Sequence, residues 1–317
     1  MLQSDNLMAT TKKRSVVVGL LSEQQEFQRL QAEDALRAAG GVGLGVDVVY
    51  ADNSAILQIQ QLYKFIHAPQ EQRPYAIIVE TVGEGLERLA RAATAAGIGW
   101  VLINRDVKYL DALRAEHPEV PIAAVSTDQE EVGRIQARQF RALVPSGRGV
   151  VLYVQGPADT SAAQLRLKGA RAGLEGTEID LRVLDGIWTE ASGEQAVRAW
   201  LRLKSSEGAS PAVIGCQNDS MAVGARRAVE ASSRRQELAR VPLTGCDGLP
   251  EGGQRLVSVQ QLAATVVIPS NTGPAIEMLA RTLAGKPASG LRLKPQSFPP
   301  EDEIARRGSL RRTALPS

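Results

Sequence analysis

Short apolar runs alternate along the chain with longer stretches whose apolar positions recur at helical spacing. The Val-rich run 15–21 predicts a buried strand. A helix over 27–39 follows, with Phe27, Leu30, Ala35 and Leu36 on its apolar face and Gly40-Gly41 as its C-cap. Further strands are predicted over 46–50, 75–79, 100–103 and 122–125, with helices over 54–67, 84–96 and 130–143. The cycle restarts beyond Pro145-Ser146-Gly147. Strands are predicted there over 149–154, 179–184, 212–216 and 241–246, and helices over 160–174, 193–204, 220–231 and 271–284. An apolar run at 263–267 and a last strand at 291–294 complete the pattern. The charged end beyond Pro299-Pro300 and the first fourteen residues are expected to be loosely ordered or disordered.

Strands that alternate with helices form parallel sheets covered by helices on both faces. The alternation runs through twice with a break near 144–149, and 317 residues suit two domains. The expected fold class is therefore α/β, with two doubly wound Rossmann-like lobes.

In such sheets ligands bind beyond the carboxyl ends of the strands. The residues at those places are Gln24, Gln25 and Phe27; Glu80; Asn104, Arg105 and Asp106; Gly156, Asp159, Thr160 and Arg166; Trp188; Gln217, Asn218 and Asp219; and Asp247-Gly248. Amides and carboxylates match hydroxyl groups, arginine offers donors in a fixed fork, and flat rings pack on the apolar face of a sugar. The set suits a polar, hydroxyl-rich ligand. Each residue also has a plainer role available. Asp219 and Thr160 are read as helix caps, Asp247-Gly248 fits a turn as well as a contact, and Arg105, Arg166, Trp188 and Glu80 fit surface or core.

Composition narrows the function. Lys+Arg is 37 against Asp+Glu 35, a formal charge of +2, which gives no general attraction to nucleic acid or anionic membranes. Aromatic residues are only 4%, too few for a base-stacking surface. The two cysteines, Cys216 and Cys246, are read as buried free thiols, and the two histidines make a His-rich metal site a poor fit. No apolar run reaches the ~18 residues of a membrane span. Lys12, Lys13 and Arg14 before the first apolar run imitate a signal peptide, but no small-residue cleavage site follows, and the run is needed as a strand. No nucleophile-elbow, phosphate-loop, paired-cysteine or dinucleotide motif is present, so an enzyme is not expected and no cofactor is implied. The basic stretch Arg306-Arg307-Gly308-Ser309-Leu310-Arg311-Arg312 is read as a solvated tail.

Four stretches carry a family resemblance. They are Gln217-Asn218-Asp219-Ser220-Met221-Ala222-Val223-Gly224-Ala225; Thr244-Gly245-Cys246-Asp247-Gly248-Leu249-Pro250; Thr160 to Arg166 with Gly169 and Leu174; and Ile103-Asn104-Arg105. With them the chain, from about 16 to 293, resembles the type I periplasmic binding proteins of the ribose- and galactose-binding sort. These share their fold with the effector domains of LacI-type repressors. The resemblance implies that Arg105, Arg166, Asn218 and Asp247 hydrogen-bond ligand hydroxyls. It also implies that Phe27 and Trp188 stack on a ring and that Gln25 fills a place where Asn is common. There are departures. Asn104 replaces an Asp, Glu80 stands where Asn is common, Gln28 replaces a second aromatic, and Ile268 stands where sugar binders often carry Gln. A cyclitol, a modified sugar or a sugar with a cationic group is therefore weighed beside a plain pentose or hexose.

The resemblance further implies a three-segment hinge near 126–128, 268–270 and 293–295. The expected division is 15–126 plus 268–293 for the first lobe and 127–267 plus 294–317 for the second, after a disordered 1–14. The lobes would close on ligand held in the cleft. The reading that follows is a monomeric solute-binding protein for an ABC-type sugar transporter or a sensor, with no nucleic-acid partner. Family resemblance places it in the periplasm; the lack of a leader points to the cytoplasm. Two other readings stand beside it. One is a cytoplasmic LacI-like effector-binding module without a DNA-binding headpiece, and the other is an α/β enzyme with an unrecognised site.

Overall fold

The computed structural model describes residues 14–83, 85–105, 107–144, 146–203 and 210–313, the last six of these by backbone alone. Residues 1–13 of the expected disordered N-terminus, Asp106 and the expected helix ends Glu84 and Lys204 lie outside the described residues.

The chain divides into two compact units. The first takes residues up to 103, 107–125 and 270–291; the second takes 104–106, 126–269 and 292 onward. In chain order the first unit starts with β1 (Ser15–Leu20), α1 (Glu26–Val42), β2 (Gly45–Tyr50), α2 (Ala55–Ile66), β3 (Ala76–Val79), α3 (Glu87–Ala95), β4 (Gly99–Ile103), α4 (Tyr109–Glu116) and β5 (Ile122–Thr127). The next run is α5 (Gln129–Leu143), β6 (Arg148–Gln155), α6 (Ser161–Leu174), β7 (Glu178–Asp185), α7 (Glu190–Leu201), β8 (Val213–Cys216), α8 (Asp219–Glu230) and α9 (Arg235–Leu238). It continues with β9 (Leu243–Thr244), α10 (Arg255–Ser258) and β10 (Thr265–Val267). The chain ends with α11 (Thr272–Leu283), β11 (Leu291–Leu293), β12 (Gln296–Phe298) and α12 (Glu301–Thr313).

The first sheet has the order β11-β5-β4-β3-β1-β2 and the second β7-β6-β8-β9. The pairs joining β1 to β5, and those of the second sheet, are all parallel. Both sheets are doubly wound α/β layers, as the alternating pattern predicts. Strand β6 shows how sequence builds the layers. Side chains alternate across a strand, so Val151 and Tyr153 pack with Phe140, Ala170 and Leu174 on one face. Leu152 and Val154 pack with Val197, Met221, Ala222 and Ala225 on the other. In the first unit Val17, Ile77, Val79, Trp100 and Leu102 meet Leu62, Ile66, Ala90, Ala93 and Leu113.

Several local expectations change. Helix α1 runs through Gly40-Gly41 and ends at Gly43, whose φ of 75° supplies the left-handed cap. Its phase also differs. The buried face is Gln28, Gln31, Ala32, Ala35 and Ala39, while Leu36 is 54% exposed. The strand expected over 241–246 shortens to β9, and the 263–267 run supplies β10, which pairs antiparallel with β12. Strand β11 joins the first sheet. The end expected to be loosely ordered instead forms α12, because Ile304 is buried and Glu301 pairs with Arg138 of α5 at 2.9 Å.

Two helix pairs of the second unit touch through reciprocal glycines. A Cβ at Gly169 would lie 1.9 Å from the Glu130 carbonyl oxygen, and one at Gly133 would lie 2.0 Å from that of Arg166. The α7–α8 pair repeats the device with Gly193 against Met221 and Gly224 against Glu190. Gly169 and Gly224 of the family-like stretches are therefore places where backbones meet directly.

Candidate functional site

In the first unit the carboxyl ends of β1 and β3 carry Gln25, Phe27 and Glu80. Gln25 is the N-cap of α1, with no side-chain capping bond, and Phe27 stands in the first turn; both are half-buried. Glu80 follows β3 directly and is 8% exposed. Its Oε2 accepts the Gln28 amide at 2.9 Å and the Gln31 amide at 3.1 Å. Gln58 adds a bond to the Glu80 carbonyl at 2.8 Å and accepts the Val82 N–H at 2.9 Å. Two side-chain amides thus serve one oxygen of the buried carboxylate.

Gln28, Gln31 and Gln58 were not singled out by sequence as a group. The signal was present, since two glutamines three apart on the Ala-rich face of a helix occupy buried positions. Gln31 does more than hold Glu80: its Oε1 accepts the Asn271 N–H at 2.9 Å, and Asp34 accepts the Gly273 N–H at 3.0 Å. The open N-terminus of α11 is capped by side chains of α1.

Asn104 follows β4 with φ 56° and is buried; Arg105 beside it is half-buried. A left-handed backbone favours Asn over most side chains.

In the second unit Arg166, Trp188 and Asn218 form one cluster. Arg166 stands on α6, 6% exposed. Its Nε donates to Gln129 Oε1 at 2.8 Å and a terminal nitrogen donates to the Gln217 carbonyl. The guanidinium lies 5.4 Å from the centroid of the half-buried Trp188 ring. Trp188 in turn accepts Asn218 Nδ2 on its carbonyl at 2.9 Å. A Cβ at Gly156 would come within 2.1 Å of the indole, so glycine there makes room for the ring. Gln217 fixes the surrounding loops, accepting the Gly156 N–H at 3.0 Å and donating to Ala163 O at 3.1 Å.

The caps are distributed differently from the sequence reading. Thr160 caps α6 as expected, accepting Ala163 N–H at 3.4 Å. The cap of α8 is Asn218, which accepts Met221 N–H at 2.8 Å, and not Asp219. Asp219 is buried and reaches the next loop, accepting Gly248 N–H at 2.8 Å and the Thr265 hydroxyl at 2.7 Å. Gly245 and Gly253 leave it room, since a Cβ at either would approach its carboxylate to about 2 Å. With its amide engaged at both ends, Asn218 positions Trp188 and α8, and its remaining N–H and lone pairs are all that a ligand would meet.

Asp247 is half-buried with φ 110°; its N–H donates to Val266 O and its carbonyl accepts the Ile268 N–H, each at 3.0 Å. Asn104, Trp188 and Asp247 thus all have positive φ, as do Asp52, Asn53 and Gln260 elsewhere among the described residues. The two cysteines are buried and free, and burial raises both thiols, Cys246 to about 12. Of the histidines, His67 is exposed and stacked on Tyr63. His117 faces a cavity of about 540 Å³ at the amino ends of the first unit's strands.

Among the described residues no helix is long and apolar enough to cross a membrane. No curated protein sequence matches the chain significantly. Solved structures of similar fold include a periplasmic solute-binding protein of an ABC transporter from Actinobacillus succinogenes with bound D-allose. It is 18% identical, covers 93% of this chain and 100% of its own, and has a TM-score of 0.78. The Caulobacter myo-inositol binding protein bound to myo-inositol is 22% identical, covering 92% and 95% with a TM-score of 0.74. A fructose binding periplasmic domain of a hybrid two-component system is 18% identical, covering 94% and 95% with a TM-score of 0.75. The family pattern for the periplasmic binding protein domain matches residues 19–287, most of the length over which both sheets are built, and the chain belongs to that family.

Proposed function

We propose that this chain is a non-enzymatic solute-binding protein for a small polar ligand of the sugar or cyclitol class. Its ligand meets the strand ends of both units: Gln25, Phe27 and Glu80 from the first, and Asn104, Arg105, Arg166, Trp188, Asn218 and Asp247 from the second. The observation that carries the reading is the buried guanidinium of Arg166 beside the Trp188 ring. It combines fixed donors with an aromatic plane, the pairing that a hydroxylated ring calls for. Neighbours of the same fold hold D-allose and myo-inositol, which supports the ligand class. Closure of the units on ligand would stabilise the bound form by contacts from both sides. Delivery to an ABC-type transporter or to a sensor, in the periplasm, is part of the proposal and is supported by the same family and neighbours.

The test is a thermal-shift screen with D-allose, myo-inositol, D-fructose and D-glucosamine. At one hundred times Kd a ligand stabilises by about 2.7 kcal/mol. A concentration-dependent rise in melting temperature with a neutral member is expected. No shift with any of the four contradicts the reading, and a shift with D-glucosamine alone overturns the neutral ligand class.

A further inference from the structure

The direct partners of Arg166 are uncharged. Its partners are the Gln129 amide oxygen, the Gln217 carbonyl and the Trp188 ring, and among the described residues no carboxylate lies within ion-pair distance. Gln129 is itself confined. It is 3% exposed and opens α5 directly after Asp128, which caps the helix by accepting the Glu131 N–H at 3.0 Å. The backbone contact of α5 with α6 through Gly133 and Gly169 fixes the two side chains against each other.

The chemistry of position 129 is informative. An apolar residue would leave the Arg166 Nε–H buried without a partner. A carboxylate would satisfy the N–H but pair with the guanidinium and cancel its charge. Only a neutral acceptor fixes the fork and leaves the charge for an acceptor that comes from outside the chain. Two of the five guanidinium donors are used, and three remain.

We propose that Gln129 is a positioning residue for ligand binding. It orients the Arg166 fork and, by being uncharged, reserves its positive charge for the hydroxyl and ring oxygens of the ligand. The proposal rests on the solute-binding reading and extends it to a residue outside the strand-end set.

Two variants and two readouts test it. The ligand-free readout is solvent exchange of the Arg166 Nε–H by 15N NMR, the signal being assigned by its loss in Arg166→Lys. The second is the Kd for whichever of D-allose, myo-inositol and D-fructose binds the unaltered protein. Gln129→Leu is expected to speed the exchange at least tenfold and weaken binding at least tenfold. Gln129→Glu is expected to keep the N–H protected yet weaken binding at least tenfold, and it carries the affinity test if the Leu variant does not fold. Unchanged exchange in Gln129→Leu overturns the positioning role, and unchanged affinity in Gln129→Glu overturns the charge argument. If none of these three neutral compounds binds the unaltered protein, the neutral-ligand reading fails. The exchange contrast still decides the positioning role, with a tenfold acceleration supporting it and equal rates overturning it.

Discussion

Replacing Gly169 by Ala puts a methyl group where the structure has none to spare. The added Cβ would stand 1.9 Å from the Glu130 carbonyl oxygen and 3.0 Å from the Arg134 nitrogen. Ordinary contact begins near 3.4 Å, so α5 and α6 must part by roughly 1.5 Å. A gap of about 0.5–1 Å already forfeits a quarter to a half of a dispersion contact. Ala137 and Phe140 would lose such contacts with Ala170 and Leu174. Overpacking that moves backbone belongs at the upper end of the usual range, about 3 kcal/mol. With about 2.1 cal/mol/K per residue of unfolding entropy, a unit of about 170 residues would melt about 8 °C lower, and the whole chain unfolding as one about 4–5 °C lower. Gly133→Ala strains the same interface, against Arg166 O at 2.0 Å, so the double variant should cost less than the sum. Circular dichroism melts of the three variants measure this. A Gly169→Ala protein within about 0.5 kcal/mol of the parent refutes the direct backbone contact.

Gly40→Ala, in an exposed helical position with open space around its Cβ, should stabilise by about 0.5–1 kcal/mol in urea titrations. Glu80→Ala strips Gln28 and Gln31 of their acceptor, whereas Glu80→Gln keeps an oxygen for both. The Ala variant should be less stable than the Gln variant by about 2 kcal/mol or more, and equal stabilities would show that the amides do not depend on this carboxyl group. The buried thiols stay protonated in the folded protein while unfolded thiols ionise. Stability should therefore fall as pH rises from about 9 toward 12, by at most about 1.4 kcal/mol per pH unit for each thiol. Urea melts under reducing conditions check this, with Cys246→Ala showing the shallower pH dependence.

The architecture was legible because parallel strands buried on both faces read as continuous apolar runs, such as 15–20 and 76–79. Helix α1 was misphased for a physical reason. Its buried face carries Gln28 and Gln31, which serve Glu80 and the start of α11, while Leu36 faces solvent. Periodicity of apolar residues alone cannot find a face whose work is polar. The second unit's candidate residues could be located by position after a strand, and Arg166, Trp188 and Asn218 do gather. Their supports were not legible. Gln129 and Gly156 act through contacts across tens of residues, and Asp219 resembles a cap until Gly248 and Thr265 are seen to bond it. Helix α12 was missed because its stability comes from Ile304 and Glu301 meeting the second unit, and not from its weakly amphipathic sequence.

Arg166 is the residue proposed to carry the binding of a hydroxylated ligand. Isothermal titration calorimetry of the protein and of Arg166→Met, using the neutral panel member with the largest thermal shift, tests it most directly. A charged hydrogen bond is worth about 1.5–3 kcal/mol, so a one-site titration weakened about tenfold to a hundredfold by the substitution is predicted. Equal affinity in the two proteins would show that Arg166 does not hold the ligand.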